Sequence, residues 1–215
     1  KIKSIVYLTQ DVIELKIEVK DFEFIPWQFI WLKLKDKSWI FVRSYSISDW
    51  NKDEFTLTIK LLKDWRWWVA LKKIKVWDKI NYIEASWEFT LKNTKNKKIF
   101  ISTWTWLAPT IAMLKATGDD IEKVVIFWVR NENDIYYKDL LSTFKNTKVI
   151  ITVSKPWENY TWNIWRVNNY LQEIKKDDEI YICWNPDMVE SVKSDLEKNG
   201  IPKTNIFYES FVISK

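Results

Sequence analysis

The chain has 215 residues, of which 47% are hydrophobic, and a formal net charge of +5. It has no histidine and a single cysteine, Cys183, which excludes an internal disulfide, an iron–sulfur cluster, a histidine-ligated zinc or haem and a histidine-based catalytic triad. Lysines are scattered and arginine is scarce, so a nucleic-acid groove is not expected, although the charge suits an acidic protein partner.

The sequence also argues against insertion into a membrane. No apolar run approaches the roughly 18 residues that a spanning helix needs. The first residues are strand-like and charged, unlike a signal peptide. We therefore expect no membrane span and a cytoplasmic location.

The first half of the chain is rich in short alternating runs that are typical of β-strands. In chain order they read SIVYLTQ, VIELKIEV, QFIWLKLK, FVRSYSIS and EFTLTIKLL, with turn residues between them. This spacing predicts an antiparallel β-barrel. A short helix is predicted over residues 69–74, followed by closing strands in KINYIEA and EFTL.

From about Lys95 onward, buried strands alternate with helices. The predicted strands are KKIFIST, KVVIFWV, KVIITVS, EIYICW and NIFYESF, and the helices between them are APTIAMLKAT, NDIYYKDLLSTF, RVNNYLQEI and PDMVESVKSDLEKNG. The last helix ends at Gly200, as a helix C-terminus should. This alternation predicts a parallel, doubly wound α/β sheet. We expect two domains, residues 1–94 and 95–215.

Tryptophan and glycine occur in unusual numbers, 16 and 2, although glycine averages about 7% of residues. Many tryptophans occupy settings where glycine is usual. Trp27 follows a proline in a predicted turn, Trp77 precedes Asp78 between two short runs, and Trp87 repeats that pattern. Such turn positions often require a positive φ, which tryptophan strongly disfavours.

Two explanations for these tryptophans remain open. A tryptophan-rich binding protein would place its indoles on one face of strands or helices, with a period of 2 or 3.6 residues. Here they fall in turns instead. Alternatively, these positions are glycine in the working protein, because the codon UGA specifies tryptophan in some genetic codes and glycine in certain uncultured bacterial lineages. The bias toward Lys, Ile and Asn suits an AT-rich genome with such recoding.

The motifs of the chain, taken in order, resemble those of the ferredoxin–NADP reductase family over nearly the whole length. RSYS (43–46) resembles its flavin motif Arg-x-Tyr-Ser, WWVA (67–70) its Gly-Gly-Val-Ser-type diphosphate motif, and TWTWLAP (103–109) its Gly-Thr-Gly-Leu-Ala-Pro nucleotide loop. FWVRNENDIYY resembles the segment with Phe-Gly-x-Arg, CWNP resembles Cys-Gly-x-Pro, and YESF resembles the terminal Glu-x-Phe. Tryptophan stands at the family's glycines in four of these six motifs.

The resemblance implies an N-terminal domain that binds FAD. Arg43 would contact the FAD diphosphate, Tyr45 would stack on the isoalloxazine ring, and Ser46 would hydrogen-bond near the flavin N5. The alternatives are a surface ion pair for Arg43 and a core aromatic for Tyr45. The remaining implied flavin contacts are Ser44, Thr58, Ile59, Lys60, Trp67, Trp68, Val69 and Ala70. The last four of these residues would open a helix that points toward the diphosphate.

The C-terminal domain would bind the nicotinamide dinucleotide. The nucleotide loop comprises Thr103, Trp104, Thr105 and Trp106, and its two indoles should occlude the site as written. Further implied contacts end the next two strands, at Val129, Arg130, Ser154 and Lys155. A hydroxyl and a basic residue at the last two positions hold the 2′-phosphate in NADPH-specific relatives, but one lysine leaves NADPH and NADH as equal alternatives.

The chemistry would occur where the nicotinamide meets the flavin. The resemblance implies Ser46, Cys183 and Glu209 as catalytic residues, Trp184 as a cofactor contact, and Phe211 as a cover for the flavin. The alternatives are a small buried hydrophobic residue for Cys183 and a surface carboxylate for Glu209.

We thus expect a flavoprotein that moves hydride from NAD(P)H to FAD and passes electrons to a ferredoxin-like, flavodoxin-like or other acceptor. Any iron–sulfur partner must be a separate protein. The alternatives are an electron-transfer subunit, a free-flavin reductase, and a tryptophan-rich binding module that has kept the fold without its cofactors.

Overall fold

The structure, a computed structural model, describes residues 1–35, 40–62, 66–86, 91–157, 167–184 and 186–210. The chain divides into two compact units. The first comprises Lys1–Lys92 and Ile111–Ala116, and the second comprises Asn93–Thr110 and Thr117–Lys215. Within the described residues, no helix is both long and apolar enough to cross a membrane.

The first unit is built on one antiparallel sheet with the order β1-β2-β5-β4-β3-β6. Its strands are β1 Ile2–Tyr7, β2 Val12–Glu18, β3 Phe29–Lys35, β4 Ile40–Trp50, β5 Glu54–Lys60 and β6 Asn81–Ser86. The period-2 alternation buries Ile13, Leu15 and Ile17 of β2 in the core, each burial contributing about 1.5–3 kcal/mol.

The predicted barrel is confirmed as a barrel-like sheet, but one that is not closed. Among the described residues no ladder joins β1 to β6. Instead, the Ile2 N–H donates to Asp78 O at 3.0 Å and Ile2 O accepts the Trp77 N–H at 2.8 Å, so that β1 is bonded to the segment before β6. The last predicted strand, EFTL at 87–90, lies outside the described residues.

The second unit contains the predicted parallel sheet, with the order β11-β10-β7-β8-β9. Its strands are β7 Lys98–Thr103, β8 Lys123–Val129, β9 Thr147–Val153, β10 Glu179–Trp184 and β11 Ile206–Ser210. All six residues of β7 are buried, as expected for a parallel strand that is covered on both faces.

Within the described residues four α-helices accompany the sheets, and the helical segments differ in part from the sequence prediction. They are α1 Arg66–Leu71, α2 Leu107–Ala116, α3 Lys138–Ser142 and α4 Pro186–Lys198. Helix α1 begins before the predicted 69–74 and ends sooner. The helix predicted from RVNNYLQEI is described only as a short 3₁₀ turn, Val167–Tyr170, because paired asparagines compete for backbone hydrogen bonds and disfavour a helix. Gly200 follows α4 with φ +81°, which confirms the predicted helix end.

One face of the parallel sheet carries a buried ion pair at the amino ends of β7 and β10. Lys98 and Glu179 are 1% and 4% exposed, and Lys98 Nζ lies 2.7 Å from Glu179 Oε2. The carboxylate also accepts hydrogen bonds from Thr94 Oγ1 at 2.6 Å and Tyr181 OH at 2.9 Å. Burial opposes ionisation of Glu179, but these hydrogen bonds outweigh it and lower the pKa of its carboxyl below the ordinary value.

Three tryptophans have a left-handed backbone, with φ values of 91° at Trp27, 76° at Trp77 and 45° at Trp104. The prediction of positive φ at the two turn positions Trp27 and Trp77 is therefore confirmed. Such a backbone costs a residue with a Cβ about 1–2 kcal/mol and costs glycine almost nothing. Trp65 and Trp87 lie outside the described residues.

Replacement of Trp77 by glycine tests this backbone strain, because its indole is 68% exposed and its loss removes little packing. Trp77→Gly should raise the free energy of unfolding by about 1 kcal/mol. Trp77→Ala removes the same indole but keeps the Cβ, so it should stay near the parent. Urea unfolding followed by circular dichroism compares the three chains. Equal stability of the glycine and alanine variants would contradict a backbone origin.

Replacement of Glu179 by glutamine tests the buried ion pair. It leaves Lys98 buried without a charged partner, and should lower stability at pH 7 by about 3–5 kcal/mol. Since the folded-state pKa is depressed, the contribution of the carboxylate is present above pH 4.5 and disappears as the pH falls through the folded-state pKa.

Thermal unfolding between pH 7 and pH 3 should therefore show the parent and Glu179→Gln converging in acid. The matched control is Glu173→Gln, which removes an ion pair to Lys148 whose two side chains are 57% and 79% exposed. Its melting temperature should stay near that of the parent at every pH. A constant gap between the parent and Glu179→Gln down to pH 3 would contradict the linkage.

Candidate functional site

The carboxyl ends of the five parallel strands form one edge of the sheet, here called the carboxyl edge. Its residues are the last ones of the strands, namely Thr103, Val129, Val153, Trp184 and Ser210. Ligands of open α/β sheets bind beyond this edge. Among the described residues no cluster of His, Cys, Asp or Glu could hold a metal ion.

The turn after β7 has the strand–turn–helix geometry of a nucleotide-binding loop. Thr103 is extended and 4% exposed, residues 104–106 form a single 3₁₀ turn, and α2 begins at Leu107. The φ of 45° at Trp104 is the value that glycine would adopt without strain. The predicted loop residues are thus together in one tight turn before a helix N-terminus.

Tyr136 holds this turn. It lies in the segment FWVRNENDIYY, but the sequence analysis did not single it out as a site residue. It is 4% exposed, its hydroxyl donates to the Trp104 carbonyl, and its ring packs edge-on against Phe127. Burial raises the pKa of the Tyr136 hydroxyl well above its ordinary value. Tyr136 therefore stays protonated and serves as a hydrogen-bond donor to the turn.

Two cations lie side by side where β8 and β9 end. The ladder continues past both strands, with hydrogen bonds from Ser154 N to Val129 O at 3.1 Å and from Lys155 N to Arg130 O at 2.8 Å. Arg130 and Lys155 are both exposed. Val129, also predicted to contact the coenzyme, is 1% exposed, and its carbonyl accepts the Ser154 N–H, so it offers almost no surface to a ligand. The structure thus brings together the predicted residues Arg130, Ser154 and Lys155.

Glu132 links the two loops that carry these cations, and sequence reasoning missed it too. Its Oε1 accepts the Trp157 N–H at 2.7 Å, while its Oε2 is buried and has no hydrogen-bond partner within the described part of the chain. It lies in the turn whose two ends, Asn131 and Asp134, cap each other reciprocally. A single glutamate in a loop gives no sequence signal of its own, because the contact with residue 157 is not local.

The ends of β10 and β11 carry the predicted catalytic residues of this unit. Cys183 is fully buried and lies in register with Ser102 of β7 on one side and Glu209 of β11 on the other. The side chains of Trp184 and Glu209 and the whole of Phe211 lie outside the described part. Ser102, which the sequence analysis did not single out, belongs to the same row.

In the first unit, β4 carries the predicted flavin motif. Arg43 is half-buried and its Nη1 donates to Val42 O at 3.0 Å, while Ser44 is exposed and Ser46 half-buried. Tyr45 packs against Trp67 with their rings 5.9 Å apart and 25° from parallel, and burial raises the pKa of its hydroxyl. An indole, rather than a glycine, therefore covers one face of the ring that is predicted to meet the flavin.

The other predicted flavin contacts have structural roles in this first unit. Thr58 is buried and donates to Ser48 Oγ at 3.4 Å, Ile59 is part of the core, and Lys60 Nζ lies 2.7 Å from Asp11 Oδ2. Positions 67–70 lie within the short helix α1. Of these, Trp67 and Ala70 are buried and Val69 is 45% exposed, and the side chain of Trp68 lies outside the described part.

Comparison with known proteins supports a nucleotide site in the second unit. The family model of the oxidoreductase NAD-binding domain matches residues 100–194. The electron transfer component of toluate 1,2-dioxygenase from Pseudomonas putida is 26% identical over 228 residues, covering 99% of this chain and 67% of that protein. One component of the Na⁺-translocating NADH-quinone reductase from Haemophilus ducreyi is 28% identical over 158 residues, covering 64% of this chain and 38% of that protein. The chain thus spans only part of each relative.

Solved structures share the fold of both units. The ferredoxin reductase in carbazole 1,9a-dioxygenase superposes with a TM-score of 0.88 at 21% identity, covering 98% of this chain and 68% of that one. Ferredoxin–NADP⁺ reductase from Plasmodium falciparum, solved with 2′P-AMP, gives a TM-score of 0.81 at 22% identity and covers 98% and 95% of the two chains. The predicted two-domain fold class is therefore confirmed.

Replacement of both loop tryptophans by glycine tests whether their indoles block the turn. The double variant Trp104→Gly/Trp106→Gly should bind NADPH or NADH at least about tenfold more tightly than the parent in titration calorimetry. Glycine relieves the positive φ at 104 and lets the backbone N–H groups approach a phosphate. Trp77→Gly is the control, since it relieves similar strain in the other unit and should leave the affinity unchanged. Equal binding by the parent and the double variant would contradict occlusion.

Proposed function

We propose that this chain, a ferredoxin–NADP reductase-like FAD/NAD-binding oxidoreductase, transfers electrons from NAD(P)H through FAD to an acceptor protein. The observation that carries the proposal is the tight turn of residues 103–107 at the carboxyl edge, within the segment that matches the NAD-binding family. Its relatives include dioxygenase electron transfer components and a component of an NADH-quinone reductase.

The second unit has groups that fit the coenzyme. The backbone of the turn precedes α2, whose N-terminal N–H groups and dipole favour a diphosphate. The exposed pair Arg130 and Lys155 adds positive charge at the end of β8 and β9. We propose that this pair contacts a phosphate of the coenzyme, with Ser154 donating its hydroxyl.

The first unit would hold the flavin along β4. Bound FAD supplies the hydride chemistry, so no side chain needs to form a covalent bond with the substrate. The guanidinium of Arg43 would bind the diphosphate, and the hydroxyl of Ser46 would hydrogen-bond to the flavin ring. Tyr45 would offer its ring face to the flavin once the residue at position 67 no longer covers it. The roles of Ser46, Cys183 and Glu209 near the reacting atoms remain part of this proposal.

The electron acceptor is proposed to be an acidic carrier protein. A net charge of +5 favours encounter with an acidic partner. Since the chain has one cysteine, an iron–sulfur acceptor would lie outside these 215 residues. The names of the relatives agree with this, because two of them are electron transfer components of dioxygenases.

The proposal includes glycine in place of tryptophan in the working protein. Positive φ at Trp27, Trp77 and Trp104 supports it, since a residue with a Cβ rarely adopts this backbone. The contact between Trp67 and Tyr45 supports it independently, because it fills space that the flavin needs. The chain with glycine at all 16 tryptophan positions is called the glycine form below.

Flavin reduction tests this function. The glycine form, loaded with FAD, should be yellow, and its flavin absorbance should bleach when NADPH or NADH is added without oxygen. The parent chain should oxidise NAD(P)H at least about tenfold more slowly, since its indoles occupy the nucleotide turn and the face of Tyr45. Stopped-flow absorbance of both chains, with each coenzyme, gives the rates.

Two outcomes of the flavin experiment would overturn the proposal. A colourless glycine form that binds neither nucleotide would favour the binding module that has kept only the fold. Equal rates for the parent and the glycine form would contradict the proposed replacement of tryptophan by glycine.

A further inference from the structure

Ser102 is a buried hydroxyl that lacks a hydrogen-bond partner, one residue before the end of β7. It is 0% exposed, and its Oγ has no partner among the described residues. Leaving a buried hydroxyl unpaired costs about 1–3 kcal/mol, and alanine would fill nearly the same volume without that cost. Unpaired groups of this kind are rare in native proteins and need an explanation, of which a ligand that binds at the group is one.

The partner of Ser102 does not come from the network that pairs the rest of this sheet face. Side chains alternate along a strand, so Ser102 and Cys183 share the face of Phe100 and Tyr181, whose rings lie 5.4 Å apart. At the amino end of that face, Glu179 is fully hydrogen-bonded. From the amino end to the carboxyl edge, this face thus carries the hydrogen-bonded Glu179, then the rings of Phe100 and Tyr181, and then the Ser102 hydroxyl, which has no partner among the described residues.

Charge divides the carboxyl edge into two parts. Its β8–β9 part carries the exposed cations Arg130 and Lys155. The row through Ser102 contains Cys183 and Phe127 as its register partners, with no lysine or arginine. The side chains of this row offer no cation to a phosphate, so the row itself suits a neutral group that both donates and accepts hydrogen bonds, as the Ser102 hydroxyl does.

We propose that Ser102 Oγ hydrogen-bonds the carboxamide of the bound nicotinamide ring, an inference that rests on the proposed function. A dinucleotide coenzyme has a charged phosphate portion and a neutral amide on the nicotinamide. The edge matches this polarity: the backbone of the turn after Thr103 and the cations at the ends of β8 and β9 suit the phosphates, and the side-chain row of Ser102 and Cys183 suits the amide. Ser102 is then a binding residue that orients the ring beside Cys183.

The inference also requires that the neighbouring turn admits the ligand to Ser102. The hydroxyl is enclosed in the chain as written, and the 3₁₀ turn of residues 104–106 begins two residues later. Glycine at 104 and 106 removes two indoles from that turn. The test therefore uses the full-length glycine form, loaded with FAD.

Ser102→Ala in the glycine form should separate stability from binding. Without coenzyme, its melting temperature should equal or exceed that of the glycine form, because an unpaired hydroxyl is removed. Its affinity for NADPH and NADH should fall about five- to tenfold. Its affinity for ADP-ribose, which lacks the nicotinamide ring, should not change. Titration calorimetry measures all three ligands.

Tyr181→Phe is the matched control, since it removes a buried hydroxyl from the same sheet face that is already bonded to Glu179. It should lower the melting temperature and leave coenzyme affinity unchanged.

A second measurement needs no substitution in the glycine form. The 3-acetylpyridine analogue of the coenzyme, in which methyl replaces the amide nitrogen, should bind about five- to tenfold more weakly, and Ser102→Ala should abolish that difference.

Three results would overturn the inference. In the first, Ser102→Ala lowers the melting temperature and leaves coenzyme affinity unchanged. In the second, ADP-ribose binding weakens as much as coenzyme binding, and in the third the analogue binds as tightly as the coenzyme. If flavin bleaching persists in these cases, only the role of Ser102 falls. A glycine form that binds neither coenzyme nor ADP-ribose would instead remove the proposed function and this inference together.

Discussion

The left-handed residue that starts the turn after β7 is the constraint on which the site depends. The chain passes from β7, which is buried on both faces, into α2 within the three residues 104–106. At this point the backbone has φ of 45°, and the Tyr136 hydroxyl fixes its carbonyl. Phosphate binding by backbone N–H groups requires the same geometry. The turn and the proposed nucleotide site thus both favour glycine at residue 104, where tryptophan has a strained backbone.

The amino ends, the middle and the carboxyl ends of the parallel strands carry different kinds of side chain. At the amino ends, the buried pair of Lys98 and Glu179 has every partner it needs. The middle is aromatic, with Phe100 and Phe207 flanking Tyr181. The carboxyl edge has the unpaired hydroxyl and the exposed cations. The well-paired groups thus lie at the amino ends of the strands, and the exposed polar groups lie at the carboxyl edge, where ligands of open α/β sheets bind.

Much of the fold could be predicted because its signals are local. Continuous apolar runs gave the parallel strands, alternating runs gave the antiparallel sheet, and the turn chemistry around Trp27 and Trp77 indicated positive φ. The contributions of Ser102, Tyr136 and Glu132 could not be predicted. Each contribution depends on strand register or on a contact between residues far apart in the chain, and a short sequence motif shows neither register nor long-range contacts.

The backbone angles at residues 27, 77 and 104 have a consequence beyond this protein. A torsion angle is set by the fold, whereas the letter assigned to a codon is set by the translation table used to read the gene. Where tryptophan recurs at angles that glycine adopts more readily than any other residue, a misapplied table would produce that pattern. Three-dimensional geometry can then serve as an independent check on how a genome should be decoded.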